Sequence, residues 1–402
     1  MNRLFDWLAR GRAGTGPVRD RPGAPPQAKS AMAQGFVAMH TMLDADWTHA
    51  SFAALAREGF MRNPIVHRCI RMISEAAAAV PWVVYDGDTE LADHPLAEVI
   101  ARPNFGQSRM AFIEAVFGNL LLSGNAYVER SEAVGDKVQL FCLRPDRVRF
   151  ETDARGWPMR CVHETVDGPR EIPIDEPGSA HLLHLSLYNP LSEADGFAPL
   201  EAALMALDVH NAAAQWNKAL LDNAARPSGA LIYAPGDGSN LSPEQYDQLK
   251  KELEDGYSGA LNAGRPLLLE GGLDWKAMGL TPRDMDFIEA KNSSSRDIAL
   301  AFGVPPMLLG IPGDNTYSNY QEAQRAFYRL TVLPLLRRTT EEIGHWLAPL
   351  YAGRVRIDVD LDQVEGLAAE RDALWARLEG ASFLTDAEKR AAVGYSPEPG
   401  QG

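Results

Sequence analysis

Apolar residues recur every three or four positions over most of this chain, and a few blocks alternate instead. Over 64–80, Val66, Ile70, Ile73 and Ala77 share one helical face and Pro81 stops the helix. Trp82-Val83-Val84-Tyr85 is a strand that turns at Asp86-Gly87-Asp88. Ser108 caps a second helix that turns Phe112, Val116, Leu120 and Leu121 inward and ends at Gly124. A strand follows at 126–129. The stretch 137–188 is β-rich, with candidate strands at 138–143, 148–151, 159–163 and 181–187 and a turn at Asp153-Ala154-Arg155-Gly156. Pro199 opens a long helix reaching about Ala225, closed by Pro227 and Gly229, and Leu231-Ile232-Tyr233 is a short strand.

The second half begins with a strong helix start, Ser242-Pro243-Glu244-Gln245, a capping serine with Pro at the first position and Gln three residues on. Tyr246, Leu249 and Leu253 form a narrow apolar stripe and Gly256 ends it, which suits a helix touching one or two neighbours. Short strands and turns fill 258–281, among them Pro266-Leu267-Leu268-Leu269 and Trp275-Lys276-Ala277-Met278. Thr281-Pro282 caps a returning helix. Ser293-Ser294-Ser295 is expected to interrupt it, with Ser294 and Asp297 capping a new helix that ends at Gly303.

A stiff corner follows, Phe302-Gly303-Val304-Pro305-Pro306-Met307-Leu308-Leu309-Gly310, and then a polar loop, Gly313-Asp314-Asn315-Thr316-Tyr317. A long helix covers 318–350. Ser318 is its expected N-cap and Gln321 the second half of a capping box. Ala323, Phe327, Leu330 and Leu333, then Ile343, Trp346, Leu347 and Leu350, form its apolar face, and Pro334 inside it predicts a kink. Val355, Ile357, Val359 and Leu361 alternate with Arg356, Asp358 and Asp360, a half-buried strand. Val364, Leu367, Leu374 and Leu378 pattern an acidic amphipathic helix closed by Gly380. Thr385 and Glu388 form another capping box before a last short helix ended by Gly394. No internal repeat is present.

Composition narrows the function classes. The 402 residues suffice for two or three domains or one elaborate body. Cys69, Cys142 and Cys161 lack C-x-x-C spacing, which points to a reducing compartment and to thiols used as core filling. No apolar run is long enough to cross a bilayer, so no membrane partner is expected. Residues 10–35 are rich in Gly, Pro, Arg and Ala and are expected to be disordered, after a short amphipathic start containing Leu4, Phe5, Trp7 and Leu8. The formal charge of −15 excludes a protein that grips nucleic acid through a basic surface. If it handles DNA, it lets DNA slide.

Candidate chemistry is thin. The chain has no phosphate-binding or dinucleotide glycine motif, no nucleophile elbow and no metalloprotease helix motif. His181 and His184 are three apart in a strand, so they point to opposite faces and do not converge on a metal. Asp284, Asp286 and Glu289 suggest either a metal-dependent site or acids favoured at a helix N-terminus, and the latter is preferred. No catalytic, cofactor or metal residue is assigned.

The corner, with Thr316-Tyr317-Ser318-Asn319 and the Leu333-Pro334 interruption after it, resembles tailed-bacteriophage portal proteins, most of all the HK97-like family that includes gene transfer agent portals. Upstream segments extend the resemblance in order: Asn63-Pro64, Cys69-Ile70, His94-Pro95-Leu96, Pro103-Asn104, Gly124-Asn125-Ala126-Tyr127, Pro145-Asp146-Arg147-Val148 and Arg283-Asp284-Met285 with Phe287-Ile288-Glu289. Together they span roughly residues 60 to 350. Ala198-Pro199 departs from the Ser-Pro of many relatives, and the C-terminal Pro-Gly-Gln-Gly departs from the acidic glycine motif often seen.

The resemblance implies an α+β portal fold. Its parts would be a tail at 1–35, a β-rich wing at 36–240, a stem helix at 241–257, a small β clip at 258–281 and a returning stem helix at 282–303. The wing resumes at 304–361 with a tunnel loop at 311–317 and a tunnel helix at 318–350, and a helical crown and tail occupy 362–402. It implies a non-enzymatic homo-oligomeric ring, a dodecamer, at one capsid vertex. The ring would be assembled in the bacterial cytoplasm, contact the major capsid protein, and dock the terminase large subunit and a head-tail adaptor while double-stranded DNA passes through. Asp314, Asn315, Thr316, Tyr317, Ser318 and Asn319 then face the channel. Gln248, Lys250, Lys251 and Glu252 are stem channel candidates, and Arg265 and Trp275 are clip contacts. Two other classes stay open on the residues alone: a metal-dependent DNA-processing enzyme built on the acids around Asp284, and a monomeric scaffold or adaptor. The narrow stripe over 243–255 weighs against the monomer, because such a helix alone is marginal.

Overall fold

A computed structural model describes residues 48–393, with breaks at 49, 88, 92, 133–137, 153–157, 173–180, 223–228, 234–241, 249–250, 252–272, 278–286 and 314–316. These residues lie in the unit Trp47–Gly402. In chain order the helices are α1 (Phe52–Ala54), α2 (Pro64–Ala79), α3 (Pro95–Ala101), α4 (Arg109–Ser123), α5 (Pro199–Ala202), α6 (Leu204–Asp222), α7 (Phe287–Ala301), α8 (Tyr317–Phe327), α9 (Leu333–Leu347), α10 (Ala368–Glu379) and α11 (Asp386–Ala392). The strands are β1 (Trp82–Asp86), β2 (Thr89–Glu90), β3 (Asn125–Glu132), β4 (Val138–Leu143), β5 (Val148–Thr152), β6 (Pro158–Thr165), β7 (Gly168–Ile172), β8 (Leu182–Ser186), β9 (Gly229–Tyr233), β10 (Leu273–Ala277) and β11 (Val355–Val359).

The core is the α2–α4 pair. Val66, Ile73 and Ala77 are fully shielded on one face of α2, with Ile70 beside them, and Phe112, Val116 and Leu120 meet them from α4. Each such large apolar side chain contributes about 1.5–3 kcal/mol by leaving water. The antiparallel sheet β11-β1-β2 joins chain segments some 270 residues apart in the register Val84↔Ile357, and alternation buries Val355, Ile357 and Val359 against α9. Sheet β4-β3-β8 extends from the end of α4, and sheet β5-β6-β7 covers a small second cluster of Tyr127, Leu143, Cys161 and Ile172. Cys69 and Cys161 are buried, and burial pushes the Cys69 thiol up to about 12, so both act as apolar filling.

Several expectations are corrected. Ser293-Ser294-Ser295 does not interrupt its helix: α7 runs unbroken from Phe287 to Ala301. Ser294 and Ser295 are buried and donate their hydroxyls to the carbonyls of Ala290 and Lys291, each at 2.8 Å, so a donor that would start a turn is absorbed within the helix. The helix expected from Pro199 to Ala225 is two, broken at Ala203. Ala198 carries no oxygen to cap α5, but the Glu201 carboxylate accepts the Ala198 N–H at 2.9 Å and keeps half of a capping box. The strand β7 was not foreseen. Val364 lies between two 3₁₀ turns, Leu361–Gln363 and Glu365–Leu367, that precede α10, Leu367 ends the second, and α10 has no fully buried residue. The capping boxes Ser242/Gln245 and Thr385/Glu388 form as the spacing predicts.

Candidate functional site

The corner after α7 is built from backbone rather than side-chain chemistry. The Gly303 N–H bonds the Leu300 carbonyl at 3.0 Å and the Val304 N–H the Ala299 carbonyl at 2.9 Å. Gly303 has φ +67, and a Cβ there would stand 2.8 Å from Thr331 Oγ1. Only glycine takes that conformation at that approach. Pro305 and Pro306 start a 3₁₀ turn, Pro306–Leu309, closed by Gly310 at φ +71, and Ile311 is buried. The Arg296 guanidinium of α7 donates to the Pro312 carbonyl, so the corner hands the chain to the polar loop from a fixed position.

Asp314, Asn315 and Thr316 lie outside the described residues, as do the side chains of Tyr317 and Ser318. The backbone of α8 is already helical at Tyr317. Ser318 therefore stands within the first turn and not at the cap. Adjacent Ser and Thr compete for that position, and spacing alone does not choose between them. Asn319 is exposed in the first turn of α8.

The irregularity expected at Pro334 is a π turn, Tyr328–Val332, one turn before it. The Leu333 N–H reaches five residues back to the Tyr328 carbonyl. Pro334 then sits in the first turn of α9, where its missing N–H costs nothing. The π turn also shifts the phase of the apolar face. Phe327 and, five residues on, Val332 are buried, whereas Leu330, expected inward, is 78 % exposed.

Of the other expected positions, Gln248 and Lys251 are exposed on the segment after Ser242, and Lys250, Glu252 and Arg265 lie outside the described residues. Trp275 pairs with Leu231 across β9–β10, and its side chain is outside the description. Asp284 and Asp286 are outside it too. Glu289 is exposed in the first turn of α7. Among the described residues no group of three or more His, Cys, Asp or Glu could hold a metal, and no helix is long and apolar enough to cross a membrane. The tethers Arg296–Pro312 and Thr331–Gly303 were missed; residues 16 and 28 apart leave no local pattern.

The segments that carry the family resemblance are junctions. Asn63 caps α2, its Oδ1 accepting from Ile65 and Val66 N–H at 3.0 and 3.1 Å. His94 caps α3 through Nδ1, and Pro95 opens that helix. Asn104 donates to the Leu140 carbonyl at 2.9 Å and fastens the loop before α4 to β4.

Gly124 ends α4 at φ +74 and lies against Gly196: a Cβ on Gly196 would fall 2.0 Å from the Gly124 carbonyl oxygen. Asn125 Oδ1 accepts from the Gly196 N–H at 2.7 Å and from His184 Nε2 at 2.8 Å. His184 stacks on Tyr127 at 4.6 Å. It is an orienting core histidine, and burial lowers its pKa to about 4.

That shift has a sign. The unfolded imidazole takes a proton near pH 6.5 and the folded one only near 4, so stability is complete above 6.5 and falls as pH drops from 6.5 towards 4. The loss amounts to about 3 kcal/mol. Melting temperatures between pH 7 and 4.5 test this. His184→Gln, which keeps a donor for Asn125, is expected to flatten the slope, and an unchanged slope refutes it.

The family described as "Phage portal protein" matches residues 64–394. The chain is 48% identical to a chain in the neck of an empty GTA (gene transfer agent) particle computed with C6 symmetry, covering 87% of this chain and 95% of that one at TM-score 0.70. It is 47% identical to one in the neck of a native GTA particle computed with C12 symmetry, covering 88% and 95% at TM-score 0.67. The portal protein of Enterobacteria phage HK97 is 25% identical over 357 residues, 85% of this chain and 81% of that one. The glycine-bounded corner, the interrupted helix after it and the junction residues upstream, Asn63 excepted, thus lie within a family match that runs from the first core helix to the last short one: this chain belongs to the phage portal protein family.

Proposed function

We propose that this chain forms a ring of twelve copies at one vertex of a phage-like capsid, as the channel through which double-stranded DNA enters and leaves. The observation that carries the proposal is the 47% identity, over 88% of the chain, to a chain in a C12-symmetric GTA neck. Gene transfer agent particles are the favoured setting. The ring would dock the terminase large subunit and a head-tail adaptor at the clip, where Arg265 and Trp275 are candidate contacts, and it would meet the major capsid protein around its rim. No catalytic step or cofactor is assigned to it.

Asp314, Asn315, Thr316, Tyr317, Ser318 and Asn319 would form the channel-facing loop, held at its start by Ile311 and the Arg296–Pro312 bond. Neutral amides and hydroxyls make weak, sequence-independent phosphate contacts, which suits a brake more than a clamp. Gln248, Lys250, Lys251 and Glu252 would line the stem or pair between subunits. With −15 per copy, acidic walls repel the duplex over roughly 10 Å of salt-screened range and limit sticking.

Native mass spectrometry and negative-stain microscopy of the purified chain test the ring. Closed rings with a central hole are expected. A monomer that also stays out of particles when the capsid proteins are supplied rules the proposal out. The double change Asn315→Ala, Tyr317→Ala is expected to leave the ring intact and to lower retention of packaged DNA.

A further inference from the structure

The π turn Tyr328–Val332 is gripped from two sides. On one, Thr331 Oγ1 donates to the Gly303 carbonyl at 2.5 Å, tying it to the corner after α7. On the other, Glu370 at the start of α10 takes both Arg325 and Arg329, with N–O distances of 3.4 and 3.2 Å to the same carboxylate oxygen. The Tyr328 ring lies flush on Gly366, where a Cβ would come within 2.5 Å of it. No residue of α10 is fully buried, and Val364, just before this joint, is buried in the core. The segment 364–370 is therefore the mount of the C-terminal helices.

We propose that this π turn is a coupling joint, kept out of regular α-helix by its two sets of tethers, so that releasing either set loosens the other. The reason is geometric. A π turn holds one residue more than an α turn and is the less favoured form. Converting it to α-helix rotates everything on one side by about one residue, roughly 100°. Thr331 cannot then stay on Gly303 while Arg325, Tyr328 and Arg329 stay on Glu370 and Gly366. The π arrangement holds both sets and the α arrangement cannot, so each set stabilises the form that the other needs, and a two-state element biased from both sides is what a coupling claim requires. The joint links the corner after α7 to the C-terminal helices, and it is a property of the single subunit.

Hydrogen–deuterium exchange on the full chain tests it with two conservative changes at half-buried positions. Glu370→Gln removes the charge that the two arginines share. Thr331→Ala removes the hydroxyl on Gly303. Glu370→Gln is expected to speed exchange about two- to fivefold at 299–303, on the far side of the joint, as well as at 368–379. Thr331→Ala is expected to do the same at 368–379. Added salt should reproduce the first effect and leave the second unchanged. Amides of α2 and α4 report the global fold and should not move. If each change loosens only its own side, the coupling does not exist. Greater protection at the far side in either variant would refute it equally.

Discussion

Gly196→Ala is expected to leave almost no folded chain. A methyl group there would sit 2.0 Å from the Gly124 carbonyl oxygen and 2.9 Å from the Leu187 N–H, so the collision is with backbone on two sides and no side-chain rotation relieves it. The backbone on both sides is held. Leu187 N–H bonds the Gly124 carbonyl at 2.8 Å, and Gly196 N–H bonds Asn125. Separating these segments would break the bonds and unstack His184 from Tyr127. Gly124→Ala adds a left-handed φ of +74 to the same clash, a strain of about 1–3 kcal/mol by itself. Each change should exceed about 4 kcal/mol, the range reserved for named core disruptions. Soluble yield and the far-ultraviolet melting curve read it directly. Gly118→Ala on α4 is the control, since a Cβ there meets nothing within 4 Å, and it should stabilise by about 0.5–1 kcal/mol. Equal behaviour of the two alanine variants would refute the packing argument.

Asn63→Ala is expected to cost about 2–4 kcal/mol, the sum of a lost helix cap and newly unpaired buried groups. Asn63 is 1% exposed and uses both ends of its amide. Its oxygen caps α2, and its Nδ2 donates to His210 Nδ1 at 3.0 Å and to Asn211 Oδ1 at 2.9 Å. Asn211 in turn donates to the Glu58 carbonyl at 3.0 Å, so one side chain welds the start of α2 to α6. The urea midpoint measures the loss. Asn63→Asp separates its parts, because a carboxylate still caps the helix but has nothing to donate. Burial and nearby Lys291 lower the His210 pKa in the native chain, so its share of stability declines as pH falls below 6.5. A carboxylate beside Nδ1 reverses that preference, so Asn63→Asp should lose less than the native chain on acidification. An equal or steeper loss would show that the Asn63–His210 bond carries little.

Caps and faces were legible because they depend on residues within about four positions. Ser108, Gly124, Ser242 with Gln245 and Thr385 with Glu388 all act as their spacing predicts. The inward residues of α2 and α4 are those of the helical pattern, and the alternation at 355–359 is the buried-exposed alternation of β11. The candidate channel residues were legible only through the ordered family motifs. No local physics assigns a role to Asn315 or Tyr317, and the described residues add nothing for their side chains. Where local signals compete, the pattern chose wrongly: the serine triplet joins the helix it was expected to break, and Leu330 turns outward.

By itself, then, the chain determines the caps that rest on one turn's spacing and the apolar faces of the regular elements α2, α4 and β11. Through its spaced motifs it also determines the family. Only the tertiary structure decided that Gly124 and Gly196 share one contact across 72 positions, that β1 finds β11, that Arg296 and Thr331 tether the corner, and that the interruption before Pro334 is a π turn. The reason is one of range. Capping and periodicity are properties of a single turn, whereas a clash, a strand partner or a helix phase is set by whichever distant segment the core brings against it.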